Sequence, residues 1–480
     1  MIKITNEVAS QLAINEGCHE IEASLMLNLM GLGRSLLSRS LLEKASELDS
    51  LAYVGKGEEP LARKGLESRS YLSLFGPIVL ERQSYWSEQS GKVHALDEVL
   101  QLPVGTQWSY NLQKMVGAQS SEVSYEGSVN LFNDLLGLRL SGKSASRNAA
   151  HLGVMAGSFY EQEQPAPTET GLLAPIVHAS VSFDGKGVPV LRPKQEEGGN
   201  PKRRLGKGEK NGRTKSATVV AASHFTPSKR SKADVLHGLG LGEDSEEKPE
   251  KKPVKTGKWH YETHRRGFLD DQAKAVQYGI EWVKKDMENG QSRFVVPIDG
   301  GAGLEAKVLA EVEKAGLGAQ FDGIVMDIIH VNEYVWDTAT AIFGEKSKSR
   351  KPWVRDVMDD LLEGKADKVV GDLVGIVAKT ELSDSKFEQV MSTLSYLLNH
   401  KHKMRYKEFL EKGYPISSAM AESTCKHLVK DRLATSGTRW KEQGAQNMLD
   451  LRAVHVNKDM DGFMAFVVAK EHQTLNIKAA

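Results

Sequence analysis

The sequence predicts a multi-domain α/β protein: a mainly helical N-terminal region with one β-hairpin, then a mixed core split by an all-helical insertion. Three observations predict it. Between residues 177 and 336, short apolar runs alternate with helical patterning in the order β-β-(β)-α-β-α-β-α. Residues 337–412 carry apolar positions at helical spacing almost without a break. The length, 480 residues, exceeds what one hydrophobic core supports.

Residues 6–54 read as helix, because LMLNLMGLGRSLLSRSLLEKASELDSLA repeats its apolar positions every three or four residues; Gly55, Gly57 and Pro60 then punctuate the chain. The alternating segment 68–87, SRSYLSLFGPIVLERQSYWS, predicts a β-hairpin with Gly76-Pro77 at its middle, and it completes a region 1–106. Residues 107–160 return to helical patterning. Within them, EGSVNLFNDLLGLRLSGKSASRNAAHL (126–152) has the layout of a helix-turn-helix: the first helix ends at Leu136-Gly137, and Ser141 caps a second running from Gly142 to about Leu152. That second helix presents Lys143 and Arg147, residue types that contact phosphates and bases; a plain helical hairpin is the alternative. A Pro- and Gly-containing linker, 161–176, follows.

The core opens with β-rich segments at 177–191 (VHASVSFDGKGVPVL) and 216–225 (SATVVAASHF). Between 192 and 258 lies an insertion, basic at 202–215 and rich in Lys, Glu and Pro at 243–258. A short third strand is expected within 258–266, a helix at 269–288, a strand Phe294–Ile298 ending in Asp299-Gly300-Gly301, a helix at 304–315, and a strand at 323–327. After the helical insertion, 413–480 form the second part of the core and a tail, with a helix starting near Pro415 and containing Glu422.

Composition sets bounds. Hydrophobic content of 40% and charged content of 26% are ordinary for a soluble protein, and no apolar run approaches the ~20 residues that span a bilayer. Asn6 and Glu7 stand where a signal peptide is apolar, so no export is expected. Two cysteines, Cys18 and Cys425, exclude a disulfide scaffold and a four-cysteine zinc site and suit a reducing cytoplasm. Lys plus Arg equal Asp plus Glu at 63 each, but nucleic-acid binding depends on local charge, and the basic run carries Lys202, Arg203 and Arg204.

Asp184, Asp299 and Glu422 stand out chemically. Two-metal phosphoryl transfer needs hard oxygen ligands converging on ions ~4 Å apart. One acid within a strand, one at the end of a neighbouring strand and one on a helix across them supply such a site. Asp184 sits in an apolar strand, where an unpaired carboxylate is costly. Each acid also has an ordinary reading: Asp-Gly is a turn dipeptide at 184–185 and at 299–300, and Glu422 can be an exposed helix charge.

The stretch from Tyr414 to Val454 resembles the C-terminal signature of the ISKra-type insertion-sequence transposases, bacterial DDE enzymes related to the Mutator-like and ISL-type groups. The residues that carry the resemblance are Pro415-Ile416, Glu422, Cys425-Lys426-His427, Lys430-Asp431-Arg432, Ser436-Gly437, Arg439-Trp440, Gly444-Ala445-Gln446 and Leu449-Asp450-Leu451-Arg452. The strand around 181–187, Asp299-Gly300, and Asp327 to His330 with Glu333-Tyr334 follow in the family's order. The resemblance covers roughly residues 68 to 460 and is thin in the basic insertion. It implies an RNase H-like catalytic core whose acids, which also hold the metal, are Asp184, Asp299 and Glu422.

Asp327, in a D-x-x-H pattern with His330, rivals Asp299 as the second acid. Strand order favours Asp299, because RNase H-like cores put that acid at the fourth strand and Asp327 ends the fifth; His330 is then a supporting or DNA-contacting group, or a structural histidine. Two departures stand out. Ser417-Ser418-Ala419 replace the family's Gly-Ser-Gly, and Tyr85-Trp86-Ser87 stand where many relatives carry paired cysteines, so no zinc is expected.

The implied activity is Mg²⁺-dependent cleavage at transposon ends, with Mn²⁺ as a substitute, followed by attack of the freed 3′-hydroxyl on target DNA. Partners are the terminal inverted repeats, target DNA and a second copy or larger assembly of this chain on DNA, in the bacterial cytoplasm at the nucleoid, with no membrane role. Lys426, Lys430, Arg432 and Arg439 are read as phosphate contacts and Trp440 as a base-stacking residue; a solvated helix face and a core tryptophan are the ordinary readings. Two rival functions stay open: a domesticated, non-catalytic DNA-binding protein, and a structure-selective nuclease on the same fold.

Overall fold

The computed structural model describes residues 17–49, 51–55, 59–162, 178–191, 214–242, 263–285, 287, 292–301, 303–379, 382–473 and 478–479. The protein is mixed α/β and divides into two compact units, one of residues 1–162 with 450–480, the other of residues 163–449. Residues 450–480, which the sequence pattern joins to 413–449, thus group with the N-terminal region. No helix among the described residues is long and apolar enough to cross a membrane.

In the first unit a 32-residue helix, Cys18–Asp49, precedes a short strand β1 (Tyr53–Val54) and a three-stranded antiparallel sheet of β2 (Ala62–Ser73), β3 (Gly76–Ser87) and β4 (Gly91–His94). The hairpin is where alternation predicts it, but its turn is Leu74-Phe75, and Gly76, at φ +110°, already belongs to the returning strand. Helices Tyr110–Glu122, Tyr125–Leu136 and Gly142–Gln162 follow. Gly137 takes the left-handed conformation that ends the second of these, and Ser141 Oγ accepts from the Ser144 amide at the start of the third. Asn133 closes the turn between them, bonding both the amide and the carbonyl of Leu140. The third helix runs ten residues beyond its expected end, to Gln162, because Leu152, Ala156, Phe159 and Tyr160 continue its buried face. Helix Met460–His472 packs on it through Phe463 and Phe466, whose rings meet Phe159.

The second unit is built on a five-stranded sheet, ordered β7-β6-β5-β8-β9: β5 (His178–Pro189), β6 (Thr214–Phe225), β7 (Thr263–Leu269), β8 (Phe294–Ile298) and β9 (Phe321–Met326). The first three pair antiparallel; β8 lies parallel to β5, and β9 parallel to β8. The third strand falls later than expected, because His264, Arg266 and Phe268 are the residues it buries.

Strand β5 is buried on both sides from Ala179 to Phe183, so the sheet is covered on both faces. Helix Gln272–Lys284, N-capped by Asp271, covers one face; Gly279 lies so close to Val181 and Phe183 that a Cβ would meet them at 2.9–3.0 Å. Helix Ala419–Thr424 and the turn after it pack on β5 and β6. The described helices of the insertion, Arg350–Leu362, Ala366–Lys379, Asp384–His400 and Tyr406–Lys412, share one continuous apolar core with the sheet through Met358, Leu361, Leu397 and Phe409.

Candidate active site

Alternation along β5 decides where Asp184 points. Val181 and Phe183 face helix Gln272–Lys284, so Ser180, Ser182 and Asp184 belong to the other face. Cys425, just after the helix that carries Glu422, is hydrogen-bonded to Asp184. Burial first, and then the Asp184 carboxylate, push the Cys425 thiol far above its ordinary value, and Asp299 adds to the same effect. Both aspartates therefore lie within electrostatic reach of one sulfur atom.

The strand register explains the proximity. Ser180 on β5 pairs with Val295 on β8, in parallel; Asp184 and Asp299 each lie four residues further along. Both side chains are half-buried. Asp299 Oδ1 accepts from the Gly301 amide at 2.9 Å, and its carbonyl accepts from the Tyr396 hydroxyl at 3.1 Å. Gly300 has φ +90°, and a Cβ there would sit 2.6 Å from Met326 Cε and 3.2 Å from both His400 Nε2 and Tyr396 Cε2, so only glycine fits the turn.

Asp327 is placed differently. One step past the Ile298–Met326 pair, it is 2% exposed and its carboxylate is fully engaged. Oδ1 accepts from the Ile329 amide at 2.7 Å and caps helix Ile328–Phe343; Oδ2 accepts from the Ser418 amide at 2.8 Å and from the Ser418 hydroxyl. The Ile328 amide donates in turn to the Ile416 carbonyl. Asp327 therefore ties the end of β9 to the segment leading into Glu422. His330 is part-exposed and pairs with Glu333 at 3.1 Å.

Glu422 lies on helix Ala419–Thr424, three residues before Cys425 and so on a neighbouring part of its face, and it is exposed. Among the described residues no group of three or more His, Cys, Asp or Glu side chains is arranged to hold a metal ion. Asp184 and Asp299 are hard oxygen donors of the kind Mg²⁺ takes, and they fit one ion as a pair; Glu422 does not join them as a third ligand in this arrangement. From Cys425 to Lys430 the helix widens into a π-turn, with the Asp431 amide donating to the Lys426 carbonyl at 3.0 Å. Such turns are frequent at functional sites.

Lys426, Lys430 and Arg439 are exposed. Arg432 and Trp440 are buried at 6% and 8% exposure and stack on each other, guanidinium to ring centroid 5.0 Å, while the indole N–H donates to the Leu433 carbonyl at 3.1 Å. Both aromatic face and cation are thus engaged inside the protein. Lys143 and Arg147 are exposed on helix Gly142–Gln162 of the first unit. Lys202, Arg203 and Arg204 lie outside the described residues.

Three residues with a part in this arrangement carry no role in the sequence reading. Cys425 was within reach, since it stands three places from Glu422 on one helix. Tyr396 and Ser418 meet their partners across 97 and 91 residues, and nothing local marks them. No protein-family model matches the chain, and no curated protein matches it significantly.

Proposed function

We propose that the chain is a metal-dependent DNA strand-transfer enzyme, a DDE transposase of the ISKra type, whose second unit is an RNase H-like core and whose first unit binds DNA. The observation that carries the reading is the register of β5 against β8, which sets Asp184 and Asp299 at equivalent places on neighbouring parallel strands. The sheet order, with three antiparallel strands and two parallel additions, supports it. So does the position of the Glu422-bearing segment against β5.

In this reading Asp184 and Asp299 hold Mg²⁺, which when bound activates water and stabilises charge on the scissile phosphate. The chain's own residues orient that pair: the Gly301 amide and the Tyr396 hydroxyl hold the Asp299 turn, and the Cys425 thiol bonds Asp184. Lys426, Lys430 and Arg439 hold the DNA backbone, and Glu422 completes the acid set when its side chain turns inward.

The test is cleavage and joining of a labelled duplex bearing the element's end, with and without Mg²⁺. Asp184→Asn, Asp299→Asn and Glu422→Gln are expected to lose both products while melting as wild type does. Full activity in Asp299→Asn would sink the assignment of the pair. One observation favours a second reading, a non-catalytic DNA-binding protein: Glu422 stands apart from the two aspartates. Mg²⁺-independent DNA binding with no cleavage would select it, and cleavage without joining would select a nuclease.

A further inference from the structure

The first unit contains an open cleft of about 1040 Å³, lined by its β-sheet on one side and helix Gly142–Gln162 on the other. Strand register builds the first wall. Glu67 pairs with Arg82, Arg69 with Leu80, Ser84 with His94 and Trp86 with Lys92, so Arg69, Arg82, Lys92 and His94 share one face of the sheet. Helical spacing builds the second: Ser144, Arg147, Asn148 and His151 form one stripe, and all line the cleft. A helix normally turns its polar stripe to open solvent. Here that stripe faces another polar wall.

The charge is unbalanced. Four permanent cations line the cleft, Arg69, Arg82, Lys92 and Arg147, against two acids, Asp97 and Glu98. Asp97 is shared between Arg69 and Arg82. The Arg82 Nε donor is buried without a hydrogen-bond partner. On the floor, Gln113 is 1% exposed; its Nε2 donates to the Trp108 carbonyl, and its Oε1 acceptor has no donor. Arg147 is exposed and makes no hydrogen bond or ion pair among the described residues. Buried polar atoms left unpaired within a protein are costly and are commonly completed by a ligand or water.

Small-molecule sites are mostly apolar with a few polar groups. This cleft is open, and cations, amides and hydroxyls supply most of its walls. Guanidinium and ammonium groups on one side and a Ser/Arg/Asn/His stripe on the other match a sugar-phosphate backbone with base edges beside it. We propose that the cleft is a duplex-DNA binding site, with Arg82 and Arg147 on backbone phosphates and Gln113 accepting from a base amine. This inference rests on the reading that DNA is the substrate, and it adds where the first unit grips it.

The experiment is fluorescence anisotropy of a labelled duplex of about 30 base pairs carrying the element's end, titrated with the full chain across a range of salt. Arg147→Ala is expected to weaken binding roughly tenfold and Arg147→Glu more, with the salt slope of Arg147→Ala shallower by about one. Lys92→Ala acts in the same direction, while Asp184→Asn binds as wild type. Unchanged melting of each variant excludes misfolding. Wild-type affinity and slope in both Arg147 variants would overturn the inference, even with Mg²⁺-dependent cleavage intact. Displacement of the duplex by poly-glutamate at equal charge would also overturn it, in favour of an acidic protein partner. Tight binding that disappears in the Arg147 variants, with no cleavage by wild type, would leave the cleft standing and sink the catalytic reading.

Discussion

Ser418 gives both its backbone amide and its hydroxyl to one carboxylate oxygen of Asp327, while the other oxygen caps the helix that begins at Ile328. An acid with every strong acceptor site occupied is poorly placed to take a metal ion as well. The relationship separates Asp327 from Asp299 on physical grounds, independently of strand counting.

Stability measurements test that separation. Asp327→Ala leaves three buried donors without an acceptor and is expected to cost about 2–4 kcal/mol in urea unfolding; Ser418→Ala is expected to cost about 1–2 kcal/mol. Asp299→Asn, half-exposed and anchored mainly through backbone, is expected to stay within about 0.5 kcal/mol of wild type. Equal costs for Asp299→Asn and Asp327→Ala would refute the division of roles.

Tyr396 is a positioning residue in the proposed reaction. Its hydroxyl donates to the Asp299 carbonyl, and its ring stacks on Tyr334 at 4.0 Å. Tyr396→Phe keeps the stack and removes the hydrogen bond. The expected outcome is a rate of cleavage lower by roughly tenfold, about 1.4 kcal/mol, with KM for the duplex unchanged. A rise in KM alone would assign Tyr396 to binding instead.

The pH dependence of stability should carry the mark of His264. Burial first, and then Arg266 and Arg265, push this imidazole down to about 3; it bonds the Tyr278 hydroxyl at 2.8 Å and stacks against Trp282. The unfolded chain binds that proton near pH 6.5, so protonation favours unfolding. Its contribution is complete above pH 6.5 and falls away as pH drops toward 3, by about 1 kcal/mol per unit at most. Urea midpoints at pH 7.5 and pH 5 should differ less in His264→Gln than in wild type.

Salt dependence checks the exposed cations after Glu422. Alanine at Lys426, Lys430 or Arg439 is expected to make the log-log slope of DNA affinity against salt shallower by about one for each phosphate no longer neutralised. An unchanged slope in the triple variant would return these residues to an ordinary solvated surface.

The strands of the core were readable because each is a short apolar run bounded by turn residues, and the observed strands at Val181, Val219, Val296 and Val325 fall within those runs. Asp184 and Asp299 were readable for the same reason: each breaks or ends such a run. What sequence pattern does not carry is the meeting of distant elements. Asp327 looks like Asp299 along the chain, and only Ser418, 91 residues away, distinguishes them. Residues 450–480 look like a tail of the core, yet buried Arg452 bonds the Ser121 carbonyl and Tyr160 bonds Asp459, both within the first unit. Arg432 and Trp440 read as surface nucleic-acid contacts by type, but the cation–π pair they form is an event of folding.

The π-turn at Cys425–Lys430 makes the chain's length at this point a constraint separate from its composition. A turn closed by an i→i+5 bond holds one residue more than an α-helical turn, and each helical residue advances the chain by ~100°. Deleting a single residue there would restore ordinary winding and swing everything downstream out of phase. The Arg432–Trp440 stack would part, and Gln446, which bonds the backbone of β7 at Gly267 and Leu269, would turn away from that edge strand. In a library scanned for retained folding, one-codon deletions across 425–430 should vanish almost as completely as stop codons, while substitutions at exposed Lys426 and Lys430 persist.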